Sequence, residues 1–366
     1  MTRGRKHALL IAGGGLAGSL AALAMARLRP DVPIFLVGEE EKFGGDRTIF
    51  LIEDSLAPQE RDLVLPLAEA RWDGFYTAFP GRSRKLKLAC LALSPERIDA
   101  AVRKTLRPDQ YRQGARIVAV RDQSVLLQGG EKIAADGAID ARDNAHVSTL
   151  ELGWRKSAAR TLAFPAAHRV DLPVAADATA AQGKGCTFFS LLPLGPERLR
   201  VEEVQLSASP DFDADAAGER ILSYAARRGW KDGAVEPEES DVAPLALGGD
   251  FSAYWRLGGA RVAKLGMRGG FFHPATGCQG ADALRTASML AAQRDYDGAL
   301  LHDGFEAEAL ALWRKREPFR AFNRQLLHGE GCSALAAFYD LDPALIARFF
   351  GENLGLLDRR KIAALR

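Results

Sequence analysis

No stretch of the sequence reaches 18 consecutive apolar residues, so a membrane-spanning helix is excluded. Charge of either sign is not in excess: 49 Lys and Arg stand against 47 Asp and Glu, which gives no electrostatic case for nucleic-acid binding. Cysteine is scarce. Cys90, Cys186, Cys278 and Cys332 lie far apart with no CxxC pair, so a zinc ribbon and a disulfide scaffold are poor readings and a reducing, cytoplasmic compartment fits best. Internal repeats and low-complexity tracts are also missing. What remains is an ordinary folded composition, 47% hydrophobic and 26% charged over 366 residues, enough for two to three domains or one large α/β unit. The start, Met1–Lys6, is basic like a signal peptide's, but the apolar run behind it is broken by Gly13-Gly14-Gly15, which a nucleotide-binding strand and turn explain better.

The first forty residues outline a βαβ unit: a buried strand at His7–Ala12, an Ala/Leu-rich helix at Leu16–Leu28 and a second strand at Pro33–Val37. Ser94-Pro95-Glu96 opens another helix, with Ser94 as N-cap. Strands are predicted at Ala115–Val120, Ser124–Gln128 and Gly137–Ala141. From about 150 to 257, short apolar runs (Arg160–Phe164, Cys186–Leu192, Leu199–Leu206) between Gly, Pro and Asp predict an antiparallel sheet. A strand at Ala260–Leu265 and a helix at about Ala281–Ala292 return to the α/β pattern, and helices follow from Gly298 onward. The expected fold is α/β, a Rossmann-type FAD-binding domain of the glutathione-reductase kind with an inserted antiparallel substrate sheet and a helical C-terminal region. Its segments are 1–45, 88–150 and 258–297 for the cofactor domain, 46–87 and 151–257 for the substrate domain, and 298–366 for the helical region.

Gly13-x-Gly15-x-x-Gly18 stands between strand and helix, where a diphosphate-binding turn must stand. One glycine permits the tight turn, one lets the backbone approach the phosphates, and one lets helix and sheet pack closely. Leu16 and Ala17 then begin the helix whose N–H groups face the phosphates. Glu39 is the candidate ribose-binding acid at the end of the second strand, with Glu40 beside it, and this acidic run argues against NADP. Gly44-Gly45 after the second strand, and Ala138–Asp143 with Asp140 at the end of a later strand, favour FAD over NAD alone, partly by analogy.

Several further segments resemble one family, the bacterial lycopene β-cyclases, FAD-containing enzymes that close rings on carotenoid ends. They are Phe79-Pro80-x-Arg82-x-Arg84-Lys85-Leu86, Pro173–Thr179, Leu192-Pro193-Leu194, Arg198-Leu199-x-Val201-Glu202-Glu203, Gly270-x-Phe272-His273-Pro274-x-Thr276-Gly277 and Phe338–Phe350. The sequence departs from the family at Asp46-Arg47-Thr48-Ile49, at Asp140-Ala141-Arg142-Asp143 where the family carries Asp-Gly-Arg-Gly, at Glu202-Glu203-Val204, and at Cys278–Ala281. These departures bear on the substrate more than on the fold.

The resemblance implies an apolar polyene substrate, reduced FAD without net electron transfer, and NAD(P)H only as the donor that reduces the flavin. Glu202 aligns with the family's catalytic glutamate and is the candidate general acid, expected to be kept neutral by an apolar pocket. Strand alternation instead places Glu203 with Leu199 and Val201 as the inward group, so both remain candidates. Gly270, His273, Pro274, Thr276 and Gly277 are candidate cofactor contacts, His273 serving either the flavin or its own backbone. Gly266-Met267-Arg268 lacks the acid that flavin monooxygenases place there, which counts against a hydroxylase. The basic run Arg82–Lys87 either guards a strand edge or meets anionic lipid in a peripheral membrane approach. The apolar segments Leu335–Phe338 and Leu345–Phe350 either line an entry or are packed helices. Oligomeric state is not legible.

Overall fold

The computed structural model describes residues 7–143, 146–180, 182, 185–230, 233–236, 239–328 and 332–365. The basic start at Met1–Lys6 lies outside them. The nucleotide half is built on the parallel strands Ile34–Val37, His7–Ala12 and Lys132–Asp140, in that order, so that Ala12 is flanked by Val37 and Asp140. Ala263–Lys264 adds to Lys132–Asp140 in parallel, and Ser124–Leu127 and Ile117–Arg121 extend the sheet as an antiparallel meander. The helix Leu16–Leu28 is apolar almost all round, and Leu16 through Met25 are buried in one core with the helix Gly280–Ala291. The helix Pro95–Thr105 begins as its sequence predicts, with Ser94 Oγ accepting the Arg97 N–H and Ile98 and Val102 turned inward. The α/β fold with a Rossmann-type unit is therefore present.

The second half is a larger sheet ordered Ala234–Val235, Leu150–Ala163, Arg198–Ser207, Cys186–Pro193, Val174–Asp177, Phe75–Phe79 and Arg82–Leu86, with Glu239–Gly249 also paired to Leu150–Ala163. A small sheet of Ile49–Ile52, Cys90–Leu93 and Ala70–Trp72 joins the halves. The boundary drawn between residues 87 and 88 thus runs through a sheet. The strand Leu150–Ala163 is far longer than the expected Arg160–Phe164, because its polar stretch Arg155-Lys156-Ser157 is paired on both sides rather than exposed in a loop. The helix Ala214–Arg227 was not expected either. Its buried Ala217, Ile221, Tyr224 and Ala225 cover one face of the large sheet.

The cysteine reading needs correction. Cys186, on an inner strand of the large sheet, and Cys332, just before the helix Ser333–Tyr339, form a disulfide with Cα atoms 4.6 Å apart. Their separation of 146 residues hides the pairing from any inspection of spacing. Cys90 and Cys278 are free thiols. No described helix is long and apolar enough to cross a membrane.

Candidate functional site

The large sheet has two faces, and the strand Arg198–Ser207 shows what each does. Arg200, Glu202, Val204 and Leu206 point to one face and line a cavity of about 370 Å³. Leu199, Val201 and Glu203 point to the other, beneath the helix Ala214–Arg227. Neighbouring strands contribute Phe188, Ser190 and Leu192, Arg155, and Asp241 and Ala243 to the cavity face. The opposite wall comes from the C-terminal region: Phe322, Leu326, Leu335, Phe338, Tyr339, Phe349 and Phe350. The segments expected to line an entry or to be packed helices are helices, and Leu335, Phe338, Phe349 and Phe350 on them also line the cavity.

Glu202 sits in a charged lobe of this mostly apolar space. Arg155 Nη2 donates to its Oε1 at 2.8 Å, and Arg200 Nη1 donates to its Oε2 at 3.2 Å. Arg200 also donates to Glu239 at 2.8 Å, and Arg47 pairs with Asp241. Burial alone would raise the Glu202 carboxyl, but the Arg155 and Arg200 guanidiniums outweigh it and hold it at about 2. The neutral acid expected from an apolar pocket is thus replaced by an ionised one, because the sheet brings two cations to the carboxylate.

Glu203 does not reach the cavity. Its side chain is fully buried and takes two hydrogen bonds from Arg220, both at 2.7 Å, and one from Gln205 at 2.7 Å. Alternation correctly makes Glu203 the more buried group; the error lies in equating burial with the cavity face. The helix 214–227, covering that face, is the missing information.

The glycine turn has the geometry a diphosphate needs. Gly13 has φ +128°, and a Cβ there would meet the backbone of Ala141 at 2.4 Å, while a Cβ on Gly18 would meet Gly13 O at 1.9 Å. Gly15 is the N-cap residue of the helix Leu16–Leu28, and no side chain caps it. Gly44 donates its N–H to Gly14 O at 2.9 Å, which sets Gly44 and Gly45 against the turn, and both line the cavity with Leu16. Ala17 is buried behind it. These residues fit the diphosphate of a dinucleotide, and Gly44-Gly45 lead from it into the cavity.

Other candidates have work within the fold. Glu39 accepts the Ile117 N–H at 2.9 Å and does not line the cavity. Asp140 is fully buried, held by Arg142 at 2.8 and 2.9 Å and by Arg268 at 3.0 Å. Arg268, in the segment Gly266-Met267-Arg268 where an acid was sought, is therefore tied to Asp140. The segment Gly270–Gly277 is a tight loop: His273 O accepts the N–H groups of Thr276 and Gly277, and His273 Nδ1 accepts that of Ala275 at 3.2 Å. The remaining ring nitrogen donates to Phe349 O at 3.3 Å, and burial lowers the imidazole so that it is neutral. His273, Thr276 and Gly277 line the cavity; Gly270 and Pro274 do not.

Sequence reading missed what fastens this loop. Arg316 donates to Gly270 O at 3.2 Å and Phe272 O at 3.1 Å while paired with Asp282 and Glu352, all buried. Asn323 donates to Pro274 O at 2.5 Å. Arg155 and Asp241 were likewise missed, since their role depends on strand register. Of the basic run, Arg82 pairs with Asp340, and Arg84 donates to Leu341 O at 2.7 Å, so these two tie the sheet edge to the C-terminal helices.

Residues 8–366 match the model of the lycopene cyclase protein family. The chain belongs to the lycopene cyclase family. It is 31% identical over 358 residues to the lycopene β-cyclase of Pantoea ananas, covering 97% of this chain and 93% of that one. The corresponding protein of Paracoccus sp. (strain N81106 / MBIC 01143) is 30% identical over 362 residues, with 97% and 93% covered. Among solved structures, a geranylgeranyl bacteriochlorophyll reductase-like protein from Thermoplasma acidophilum has a TM-score of 0.66 at 12% identity, covering 99% of this chain and 96% of that one. A flavin-dependent halogenase from Xanthomonas campestris has a TM-score of 0.61 at 13% identity, covering 99% and 81%. These likenesses establish the shared fold of this lycopene cyclase family member.

Proposed function

We propose that the protein closes rings at the ends of an acyclic carotenoid such as lycopene, in an acid-initiated and redox-neutral reaction. The observation that carries this reading is Glu202, a carboxylate held by two arginines on the wall of a cavity that runs from the glycine turn to the aromatic C-terminal wall. The family relatives named lycopene β-cyclase support the substrate class.

In this reading Glu202 transfers a proton to the terminal alkene, the neighbouring double bond captures the tertiary cation, and the proton lost on forming the ring double bond returns to the carboxylate. Proton uptake and release balance, and no electrons are consumed. A carboxylic acid of pKa about 2 is a strong donor, though little of it is protonated near neutrality. As the anion, it stabilises the cation formed beside it. Reduced FAD, when bound, would supply further negative charge to the site, and NAD(P)H would serve only to reduce it. Gly13, Gly15, Gly18, Gly44 and Gly45 would hold its diphosphate, and the loop His273–Gly277 would border the ring end. Phe338, Phe349 and Phe350, which line the cavity, would exclude water around the apolar chain.

Such a substrate resides in a bilayer, which calls for a peripheral membrane contact. With Arg82 and Arg84 bound internally, the better surface is the start of the helix Leu356–Ala363, where Leu356 and Leu357 are 80% and 71% exposed beside exposed Arg360 and Lys361. The test is incubation with lycopene in liposomes, reduced FAD and deuterated water. Cyclic product carrying one solvent deuteron per ring, without NAD(P)H consumed in step with product, is the expected result. Oxygenated product with stoichiometric NAD(P)H consumption would instead show a flavin-dependent oxygenase or other oxidoreductase.

A further inference from the structure

The glycine turn has an unexpected neighbour. Asp143 stands where the family motif carries glycine, and its carboxyl lies directly against Gly15: a Cβ on Gly15 would come within 2.0 Å of Asp143 Oδ2. Gly15 is the N-cap of the helix Leu16–Leu28, which has no capping side chain and no acid in its first turn. Asp143 lines the same cavity as Leu16, Gly44 and Gly45, and its side chain is exposed there. A carboxylate thus occupies the approach to the backbone N–H groups that suit a diphosphate.

We infer that Asp143 competes with the dinucleotide's diphosphate for this helix start, making cofactor affinity in this chain dependent on a proton held at that side chain. The inference rests on the glycine turn as a diphosphate site and not on the identity of the reaction. Two anions at one helix start repel, whereas a protonated Asp143 removes the repulsion and has a hydrogen to donate. The surroundings favour the proton. Desolvation and the nearby Asp46 carboxylate push Asp143 above the ordinary range, while the Arg47 guanidinium and a hydrogen bond with Gln279 act in the opposite sense. Arg47 is already paired with Asp241, and Arg142, next in the chain, turns away to Asp140. The glycine turn itself presents only backbone. By linkage, a diphosphate that binds better when Asp143 is protonated loses affinity as pH rises through the titration of that group.

The experiment is a titration of the deflavinated full-length protein with FAD, followed by quenching of flavin fluorescence, for the wild type, Asp143→Asn and Asp143→Gly. The wild-type Kd is expected to rise at least roughly tenfold as pH is raised through the titration of Asp143 to the alkaline side. Both variants should bind FAD with little dependence on pH, and at the alkaline end more tightly than the wild type by roughly the same factor. Asp143→Asn changes the charge with little change of shape, so it carries the test should the glycine variant fold poorly. Parallel pH profiles for wild type and Asp143→Asn, or weaker binding by Asp143→Asn at every pH, would overturn the inference. Failure of all three folded proteins to bind FAD at any pH would overturn the diphosphate assignment with it, while leaving the acid chemistry at Glu202 to its own test.

Discussion

Glu202 and Glu203 are adjacent in the chain and opposite in circumstance. Glu202 faces a cavity and is held by Arg155 and Arg200, both on the same sheet face; Glu203 faces a helix and is held by Arg220, which that helix supplies. The first pair of cations leaves the carboxylate beside open space, 13% exposed and reachable by a substrate. Arg220 seals Glu203 away entirely. Burial alone does not distinguish an acid that lines a cavity from one sealed beneath a helix. What distinguishes them is whether the covering layer is protein or cavity.

The sharpest way to break the comparison is to neutralise each acid in turn. Glu202→Gln should lower ring formation by roughly a hundredfold or more, the usual worth of a positioned acid, whereas Glu203→Gln should stay within about threefold of wild type. Product chromatography in the liposome assay measures both. Stability should show the reverse order. Arg220→Ala strands the Glu203 carboxylate in a fully buried place and should cost about 3 kcal/mol, seen as a lowered denaturation midpoint. Glu203→Gln, which releases the half-exposed Arg220 to water, should cost only about 1 kcal/mol.

Acid titration of stability separates the two faces further. The Glu202 carboxyl titrates at about 2 in the folded protein against 4.5 ordinarily, so its ion pairs contribute fully above pH 4.5 and are lost as pH falls towards 2. Any advantage of wild type over Glu202→Gln in thermal midpoint should therefore shrink across that window. The smallest effect concerns the nucleotide half. Because Glu39 spends its carboxylate on the Ile117 N–H, Glu39→Gln should change the Kd for FAD by less than about threefold, measured by flavin fluorescence.

Much of the nucleotide half was legible from the sequence because its signals are local. The turn Gly13–Gly18, the apolar strand before it and the Ser94 cap each act within a few residues, and the observed elements match. The antiparallel character of the second half was legible too, from short runs between turn residues. What was not legible depends on register and on distant partners. Arg155 meets Glu202 only because the stretch Trp154–Ala163 pairs with the whole of Arg198–Ser207. The Asp213-capped helix that hides Glu203 carried its own signal in Ala217, Ile221 and Tyr224, but nothing in that spacing says which sheet face it covers. Likewise the ties from Arg316 to the loop at Gly270–Phe272, and the Cys186–Cys332 disulfide, join segments far apart in the chain.

The central claim is that the working acid is Glu202, kept ionised by two guanidiniums rather than neutral in an apolar pocket. The most direct test is the pH dependence of single-turnover ring formation, with reduced FAD in excess, for wild type and Arg155→Ala. With the carboxyl at about 2, the wild-type rate should climb roughly tenfold for each unit that pH is lowered through the neutral range. Arg155→Ala, which removes a lowering cation, should level off at a higher pH than wild type does. A wild-type profile flat through neutrality and unmoved by Arg155→Ala would contradict the claim.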